Sequence, residues 1–296
     1  MSLPQLGIAL GGGGARGAAH IGVLQGLQKS KVKIDVISGV SAGSVIGAMY
    51  AIDEDATWVE VQYRNVLKKY ISSSKMKNYI NVHSGQNLGI SNIKNFIYVH
   101  FLQIIKLYRN SIISKELLKK VISELLPVET FEELKIPLKV CVTDLNSASN
   151  IVYETGNLIE SLVKSCSIPG IIEPTIEGGK VLVDGGVFSP VPVSVLKNKC
   201  NFIIAVNIPQ NKYSMLAVKS KMYDLKGRAD LIISNRLKYF ETKDADFVLK
   251  PDTMGTHWSN FQKFEDLVKS GKNEVEMKME KLGSKLLMGK NNINKE

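Results

Sequence analysis

Residues 6–17 read Leu-Gly-Ile-Ala-Leu-Gly-Gly-Gly-Gly-Ala-Arg-Gly, an apolar run that passes directly into a glycine-rich loop. The apolar run is typical of a buried strand, and a helical pattern follows from Gly17 to Lys29. Glycines at such a junction let the backbone take positive φ and bring its N–H groups close to a ligand. Because the following helix adds its positive N-terminal end, the loop is suited to binding an anion.

The residues in and after this loop indicate which kind of anion it could bind. A phosphate-binding P-loop ends in Gly-Lys-Ser/Thr, whereas this loop ends in Ala-Arg-Gly at residues 15–17. A dinucleotide fingerprint is formally present over residues 12–17, but it needs an acid at the end of the second strand, and Asp35 stands at the start of that strand. The glycine pattern alone is therefore weak support for a dinucleotide. The remaining anion is the transient oxyanion of an acyl-transfer intermediate.

The segment Gly-Val-Ser-Ala-Gly at residues 39–43 lies between a second predicted strand and a second predicted helix. This pattern is typical of a nucleophile elbow, in which the serine sits on a strained turn. Gly39 and Gly43 would relieve the crowding beside Ser41. The alternative is a serine that only caps the following helix, but a glycine loop after the neighbouring strand favours the nucleophile.

A serine hydroxyl is a poor nucleophile without a neighbouring base. Among four histidines, only His257 lies late in the chain, as the histidine of a hydrolase triad would, and no strand precedes it. His20 lies in the helix after the glycine loop, where a packing role is expected. Asp184 is the better candidate, because it ends an apolar run and precedes two glycines. Its spacing leaves open whether it is the base or only begins an Asp-Gly turn.

Three ordered motifs together resemble the patatin-like phospholipase family, in particular its short bacterial members. They are the glycine loop at residues 12–17, the serine elbow at 39–43 and Asp184-Gly185-Gly186, supported by Thr-Asp-Leu-Asn at 143–146 and Ser-Ile-Pro-Gly at 167–170. The resemblance covers residues 6–52 and 137–208. It is weak over 53–136 and beyond 209.

The resemblance implies an α/β fold, a three-layer α/β/α sandwich around a central, mostly parallel sheet. It also implies a Ser–Asp dyad in place of a triad, with Ser41 as nucleophile and Asp184 as base. The expected activity is hydrolysis of lipid or phospholipid acyl esters, of the phospholipase A or lysophospholipase type. Neither a cofactor nor a metal is expected, and activity should be independent of calcium.

The same resemblance assigns the oxyanion hole to the glycine loop. The backbone N–H groups of Gly12, Gly13 and Gly14 would bind the oxyanion, and Arg16 would help to hold the loop. Gly11 stands where the plant founders of the family carry an acidic residue. Bacterial members commonly vary at that position.

Two alternatives to phospholipid hydrolysis stay open on this scaffold. The same dyad could serve an acyltransferase or a general esterase on neutral lipids, because the pocket chooses the acceptor. A non-catalytic lipid-binding or regulatory protein could also retain the scaffold, although the intact set of motifs argues against it.

The composition predicts one domain. The chain has 296 residues, of which 44% are hydrophobic and 22% charged, which excludes disordered and fibrous classes. We expect a single domain over residues 1–288, with the motifs in 6–208, a helix-rich part at 209–288 and a flexible tail at 289–296. Three distant cysteines, no secretory start and no apolar run of about 18 residues predict a cytoplasmic protein.

The basic charge is concentrated in one segment. The net charge is +10, and residues 60–125 hold 11 basic and 3 acidic residues. Amphipathic, lysine-rich helical patterns within residues 90–120 suggest contact with an anionic membrane, which would place the protein peripherally at the inner membrane surface. A lid over an acyl-chain pocket or ordinary core helices would give the same pattern. Nucleic acid is not an expected partner, since no recognition motif is present; the sequence does not predict the oligomeric state.

Alternating apolar and amphipathic segments predict a parallel sheet covered by helices. The predicted strands are 6–10, 34–40, 137–143, 151–153, 180–183, 202–207 and 247–249, and the predicted helices are 17–29, 44–52, 56–70, 90–126 and 158–166.

Overall fold

The computed structural model describes residues 6–71, 113–209 and 222–293. The segment predicted to contact a membrane, 90–120, therefore lies largely outside the described residues. The described helices are α1 (Ala18–Lys29), α2 (Ala42–Asp53), α3 (Ala56–Ile71), α4 (Lys115–Leu125), α5 (Leu158–Ser165), α6 (Met222–Glu241) and α7 (Phe264–Ile293).

The described strands form one eight-stranded sheet with the order β5-β6-β3-β2-β1-β7-β8, and β4 pairs with β3 beside this path. They are β1 (Leu6–Leu10), β2 (Val36–Gly39), β3 (Leu138–Asp144), β4 (Ser149–Tyr153), β5 (Thr175–Glu177), β6 (Lys180–Asp184), β7 (Phe202–Val206) and β8 (Phe247–Leu249). The strands β3, β2, β1, β7 and β8 run parallel, and β4, β5 and β6 pair antiparallel. The predicted α/β class with a central, mostly parallel sheet is confirmed.

Strand β3 has three partners on its two edges. Gly39 of β2 pairs with Val140, and Asp184 of β6 pairs with Val142. On the opposite edge of β3, β4 pairs with a stretch that includes both Val140 and Val142. Because β4 occupies that edge, β2 and β6 share the other one, where they run in opposite directions and their carboxyl ends meet. The residues that follow β2 and β6 therefore come together at one point of the sheet.

The larger apolar core lies on the face of the sheet that α1, α2 and α7 cover. Leu6, Ile8 and Leu10 of β1 point into it and are buried. Side chains alternate along a strand, so Ala9 points to the opposite face. There it packs in a smaller cluster with residues from the turn-rich segment 189–200. This segment covers the second face of the sheet, and the last turn of α6 contacts it through Glu241.

Helices α1 and α7 cross at a contact between glycines. A Cβ atom on Gly22 of α1 would overlap the carbonyl oxygen of Val268, and one on Gly271 of α7 would overlap that of Ala19. Only residues without a side chain allow the two backbones to approach this closely. Since α1 begins directly after the glycine loop, this crossing also fixes where the loop lies.

Most predicted elements are present, with boundaries that differ by no more than two residues. Strand β5 was missed, because three residues that end at an exposed turn carry no alternating pattern. The described part of the predicted helix 90–126 begins only at Lys115, after Ser114 caps it. Helix α7 continues to Ile293, within the segment predicted as a tail. The single-domain assignment stays a prediction.

Candidate active site

Ser41 lies on a strained turn between β2 and α2. Its backbone has φ 52° and ψ −129°, a conformation that a residue with a side chain rarely adopts. A Cβ on Gly43 would overlap the carbonyl oxygen of Leu10, and one on Gly39 would lie 2.6 Å from Ser44 Cα. The two glycines predicted to flank a nucleophile are therefore required by the geometry of the turn.

A buried hydrogen-bond network holds this turn. The Ser41 N–H donates to Ser165 Oγ at 3.0 Å, and Ser165 Oγ donates to the carbonyl oxygen of Cys141 at 2.7 Å. Ser44 Oγ donates to the Ser41 carbonyl oxygen at 2.7 Å. Ser165 thus links the turn to strand β3. It was not predicted from the sequence, because no local pattern distinguishes a serine in the last turn of a helix.

Asp184 faces Ser41 at the end of β6. Its side chain is buried, and the Ser41 side chain lies close enough to lower its pKa. Oδ1 also accepts a hydrogen bond from the Gly186 N–H at 2.7 Å. Burial raises the pKa of Asp184 to about 6, although Ser41, Gly186 and the charge of Lys238 all favour the carboxylate. The structure thus brings the two residues predicted as a dyad into contact, with the acid titrating near neutral pH.

The two stretches that supported the family resemblance brace Asp184. The Asp184 N–H donates to the Ser167 carbonyl oxygen at 2.9 Å. Asp144 at the end of β3 accepts from the Val181 and Asn146 N–H groups at 3.1 Å each, which ties the turn after β3 to β6. These contacts fix the strand that carries the carboxylate.

The glycine loop lies beside the serine turn, since a Cβ on Gly12 would be 3.5 Å from Ser41 Cβ. The Gly12 N–H donates to the Pro190 carbonyl oxygen at 3.0 Å, so it is already engaged. Among the described residues, the N–H groups of Gly13 and Gly14 have no acceptor. Of three glycines predicted to bind an oxyanion, two therefore offer unpaired donors in this conformation.

Three consecutive carbonyl oxygens of the loop each lie against the nitrogen of a buried side chain. His20 Nε2 is 2.7 Å from Gly11 O, Lys238 Nζ is 3.2 Å from Gly12 O, and Arg16 Nε is 3.2 Å from Gly13 O. Arg16 thus donates a hydrogen bond to the loop, and the role that the resemblance implies for it there stays a prediction. Burial lowers the pKa of His20 to about 4. His20 is therefore neutral and carries its proton on Nε2, where it donates to the carbonyl.

The segment around His257 supports the loop from outside. Gly14 has φ +56°, and a Cβ on it would lie 2.5 Å from the Trp258 carbonyl oxygen. That oxygen accepts a hydrogen bond from the Ala15 N–H at 2.6 Å. His257 itself has Nδ1 2.8 Å from Ser259 Oγ. The late histidine of the chain therefore lies against a different serine, Ser259.

Helix α6 contributes a buried lysine and a partly buried glutamate that the sequence analysis missed. Lys238 Nζ donates to the Ile208 carbonyl oxygen at 2.7 Å as well as to Gly12 O. The Glu241 carboxylate accepts from the Ser189 hydroxyl and from the Val191 N–H. Burial lowers the pKa of Lys238 to about 7 and raises that of Glu241 to about 7. No motif marks these residues, since a lysine on a helix is usually exposed.

The described residues contain no group of three or more His, Cys, Asp or Glu side chains that could hold a metal ion. The expectation that neither metal nor cofactor is needed stays a prediction. Within the same residues, no helix combines the length and the apolar character that a membrane crossing requires.

Comparison with known proteins defines the class. The family model described as patatin-like phospholipase matches residues 8–197, which include the glycine loop, the serine turn and Asp184. The chain belongs to the patatin-like phospholipase family.

Two relatives and one solved structure illustrate the range of similar proteins. An uncharacterized NTE family protein of Mycobacterium tuberculosis is 27% identical over 211 residues, which cover 70% of this chain and 50% of the relative. Neuropathy target esterase of Drosophila melanogaster is 29% identical over 208 residues, covering 69% of this chain and 13% of the relative. Human GIVD cytosolic phospholipase A2 superposes with a TM-score of 0.52 at 11% identity, over 97% of this chain and 60% of that chain, which shows a shared fold.

The chain thus spans half of the mycobacterial relative and a small part of the fly protein.

Proposed function

We propose that this protein is a serine acyl-ester hydrolase of lipids, of the phospholipase A or lysophospholipase type, with Ser41 and Asp184 as its catalytic dyad. The observation that carries the proposal is a strained serine close to a buried carboxylate, beside two backbone N–H groups that have no acceptor among the described residues. Membership of the patatin-like phospholipase family supports lipid as the substrate class.

The first half of the reaction acylates the serine. Ser41 Oγ attacks the ester carbonyl carbon while its proton passes to Asp184. The carbonyl oxygen becomes an oxyanion, which the Gly13 and Gly14 N–H groups bind. Collapse of this intermediate breaks the ester bond, and Asp184 returns the proton to the leaving alcohol. The acyl chain stays on Ser41.

The second half releases the fatty acid. Asp184 takes a proton from a water molecule, which attacks the acyl carbon, and the same N–H groups bind the second oxyanion. Ser41 then leaves with the proton from Asp184. Because a general base works best with a pKa near the operating pH, a carboxyl with a pKa of about 6 suits both steps.

Fluorophosphonate labelling followed by intact mass tests this proposal. Ser41 Oγ would attack phosphorus, fluoride would leave, and the proton would pass to Asp184. We expect one adduct on the wild-type protein, none on Ser41→Ala and a rate lower by at least about 100-fold on Asp184→Asn. Ser161→Ala is the matched control, because Ser161 is also a buried serine, its hydroxyl donates to the Asn157 carbonyl oxygen and not to the serine turn, and its loss should leave the adduct in place.

Either of two results would contradict the proposal. Folded wild-type protein that forms no adduct would point to the binding-protein alternative. Near-normal labelling of Asp184→Asn would contradict the role of Asp184 as the base but leave Ser41 as the nucleophile.

Contact between residues 90–120 and an anionic lipid surface remains part of the proposal. It is supported by the excess of basic residues in the sequence of 60–125. Liposome sedimentation of the wild type against a variant with Lys94, Lys106 and Arg109 changed to glutamate tests it. Equal binding of both proteins to anionic liposomes would count against it.

A further inference from the structure

Lys238 is a buried cation that the dyad mechanism leaves unused. Only 5% of it is exposed, and its ammonium group donates to two backbone carbonyls, Gly12 O and Ile208 O. A buried lysine is costly unless its donors are satisfied and its charge is balanced. The burial of Lys238 against the glycine loop therefore indicates a role beyond packing.

The position of the Gly12 carbonyl decides where the next N–H points. In a trans peptide the C=O of one residue and the N–H of the next point in opposite directions. Lys238 holds Gly12 O, so the Gly13 N–H is turned to the side away from Lys238. That N–H is one of the two loop donors without an acceptor among the described residues. Arg16 acts in the same way on the next peptide, through Gly13 O.

We propose that Lys238 is a positioning residue for the oxyanion hole: its ammonium group fixes the Gly12–Gly13 peptide so that the Gly13 N–H is aimed at the developing oxyanion. This inference rests on the proposed function. It makes helix α6, which lies outside the residues matched by the family model, a part of the active site.

A second contact of the same helix turn supports this role. Glu241, three residues after Lys238, accepts hydrogen bonds from the Ser189 hydroxyl and the Val191 N–H. Between them, Pro190 accepts the Gly12 N–H at 3.0 Å. One turn of α6 therefore holds both sides of Gly12, its carbonyl directly and its N–H through residue 190.

The charge of Lys238, like its position, favours binding of the oxyanion at the Gly13 N–H. Its ammonium group lies within electrostatic range of Asp184, Arg16 and Glu241. A cation behind the Gly12–Gly13 peptide strengthens the positive end of that peptide's dipole, which faces the oxyanion. Preorganised dipoles of this kind cost no reorganisation at the moment of reaction.

The test compares Lys238→Met, which keeps the length and apolar stem, with Lys226→Met as the matched control. Lys226 lies on the same helix, is exposed and pairs with Asp230. We expect fluorophosphonate labelling of Lys238→Met to be slower by about 10- to 100-fold, less than the loss of a direct oxyanion donor. Lys226→Met should label at the wild-type rate.

Two ligands separate positioning from a structural role. A long-chain trifluoromethyl ketone forms a tetrahedral oxyanion on Ser41, whereas the fatty acid product does not. In Lys238→Met we expect the ketone to bind about 10- to 100-fold more weakly, with the fatty acid affinity changed by less than about twofold. Equal losses for both ligands, or no loss for the ketone, would overturn the inference.

The outcomes also separate this inference from the proposed function. Wild-type protein that fails to label overturns both. Labelled wild type with an unaffected Lys238→Met overturns only the role of Lys238. If circular dichroism shows that Lys238→Met is unfolded, Lys238→Gln, which keeps a neutral donor, is judged by the same two-ligand criterion.

Discussion

Ser41 and Asp184 face each other because they follow strands that meet along one edge of β3. Gly39 at the end of β2 pairs with Val140, and Asp184 at the end of β6 pairs with Val142. Strand β2 runs parallel to β3 and β6 runs antiparallel, so their carboxyl ends point toward each other. Their last paired positions on β3 are two residues apart. The proposed nucleophile and base are thus fixed by sheet register and do not depend on a mobile loop.

Labelling of Ser41 should depend on pH with a single acid limb. The Asp184 pKa is raised to about 6 by burial, and only the carboxylate can accept the serine proton. The rate should therefore be low below pH 5, half-maximal near 6 and highest between 6 and 7, above which Lys238, with its pKa lowered to about 7, begins to lose its charge. Fluorophosphonate labelling between pH 4.5 and 8 measures this profile. A rate independent of pH across this range would exclude Asp184 as the base.

The variant Asp184→Asn should be more stable than the wild type at neutral pH. The pKa is raised from 3.8 to about 6, so the folded state disfavours the charged form. The wild type is therefore destabilised above pH 6, and this destabilisation vanishes as pH falls below 3.8. It amounts to about 3 kcal/mol at most. Urea unfolding at pH 7.5 and pH 4 checks it, and equal differences at both values would contradict the linkage.

Alanine at Gly14 should impair labelling more than alanine at another glycine with positive φ. Both Gly14 and Gly156 have positive φ, at 56° and 79°, so both variants suffer backbone strain. Only at Gly14 would the new Cβ press on a neighbour, the Trp258 carbonyl oxygen. We expect Gly14→Ala to displace a loop donor and slow labelling by about 100-fold or more, while Gly156→Ala leaves it unchanged. Similar rates would show that the loop can shift without losing its donors.

Removal of the Ser165 hydroxyl should loosen the serine turn. Ser165→Ala leaves the buried Ser41 N–H and the Cys141 carbonyl without a partner, at a cost of about 1–3 kcal/mol in unfolding free energy. We also expect slower labelling, because the strained conformation of Ser41 is less constrained. Ser161→Ala is the control, since Ser161 is buried one turn earlier and its hydroxyl donates to Asn157 O. Wild-type labelling of Ser165→Ala would limit its role to stability.

The crossing of α1 and α7 should tolerate no side chain at Gly22. A methyl group there would overlap the Val268 carbonyl oxygen, so the helices must separate. We expect Gly22→Ala to lower the melting temperature, with a loss of about 1–3 kcal/mol. Gly283→Ala in α7 meets nothing within 4 Å and should be neutral or slightly stabilising, because alanine favours helix. Thermal unfolding of both variants provides the comparison.

The sequence by itself determined the parts of this protein that depend on neighbouring residues. The apolar run Leu6–Leu10, the glycines after it and the Gly-x-Ser-x-Gly turn are local, because strand, turn and helix preferences are set within a few residues. These motifs predict the α/β class and Ser41 as the candidate nucleophile, and the family resemblance implies Asp184 as its base. The family match over residues 8–197 includes the glycine loop, the serine turn and Asp184.

Tertiary structure alone decided the contacts between residues far apart in the chain. Lys238 reaches Gly12 across 226 positions, and Ser165 reaches Ser41 across 124. It also decided that β2 and β6 share an edge of β3, and that the Gly12 N–H is engaged by Pro190. No local sequence pattern encodes such pairings. A lysine or a serine becomes a buried hydrogen-bond donor only once the folded sheet has brought a distant residue beside it.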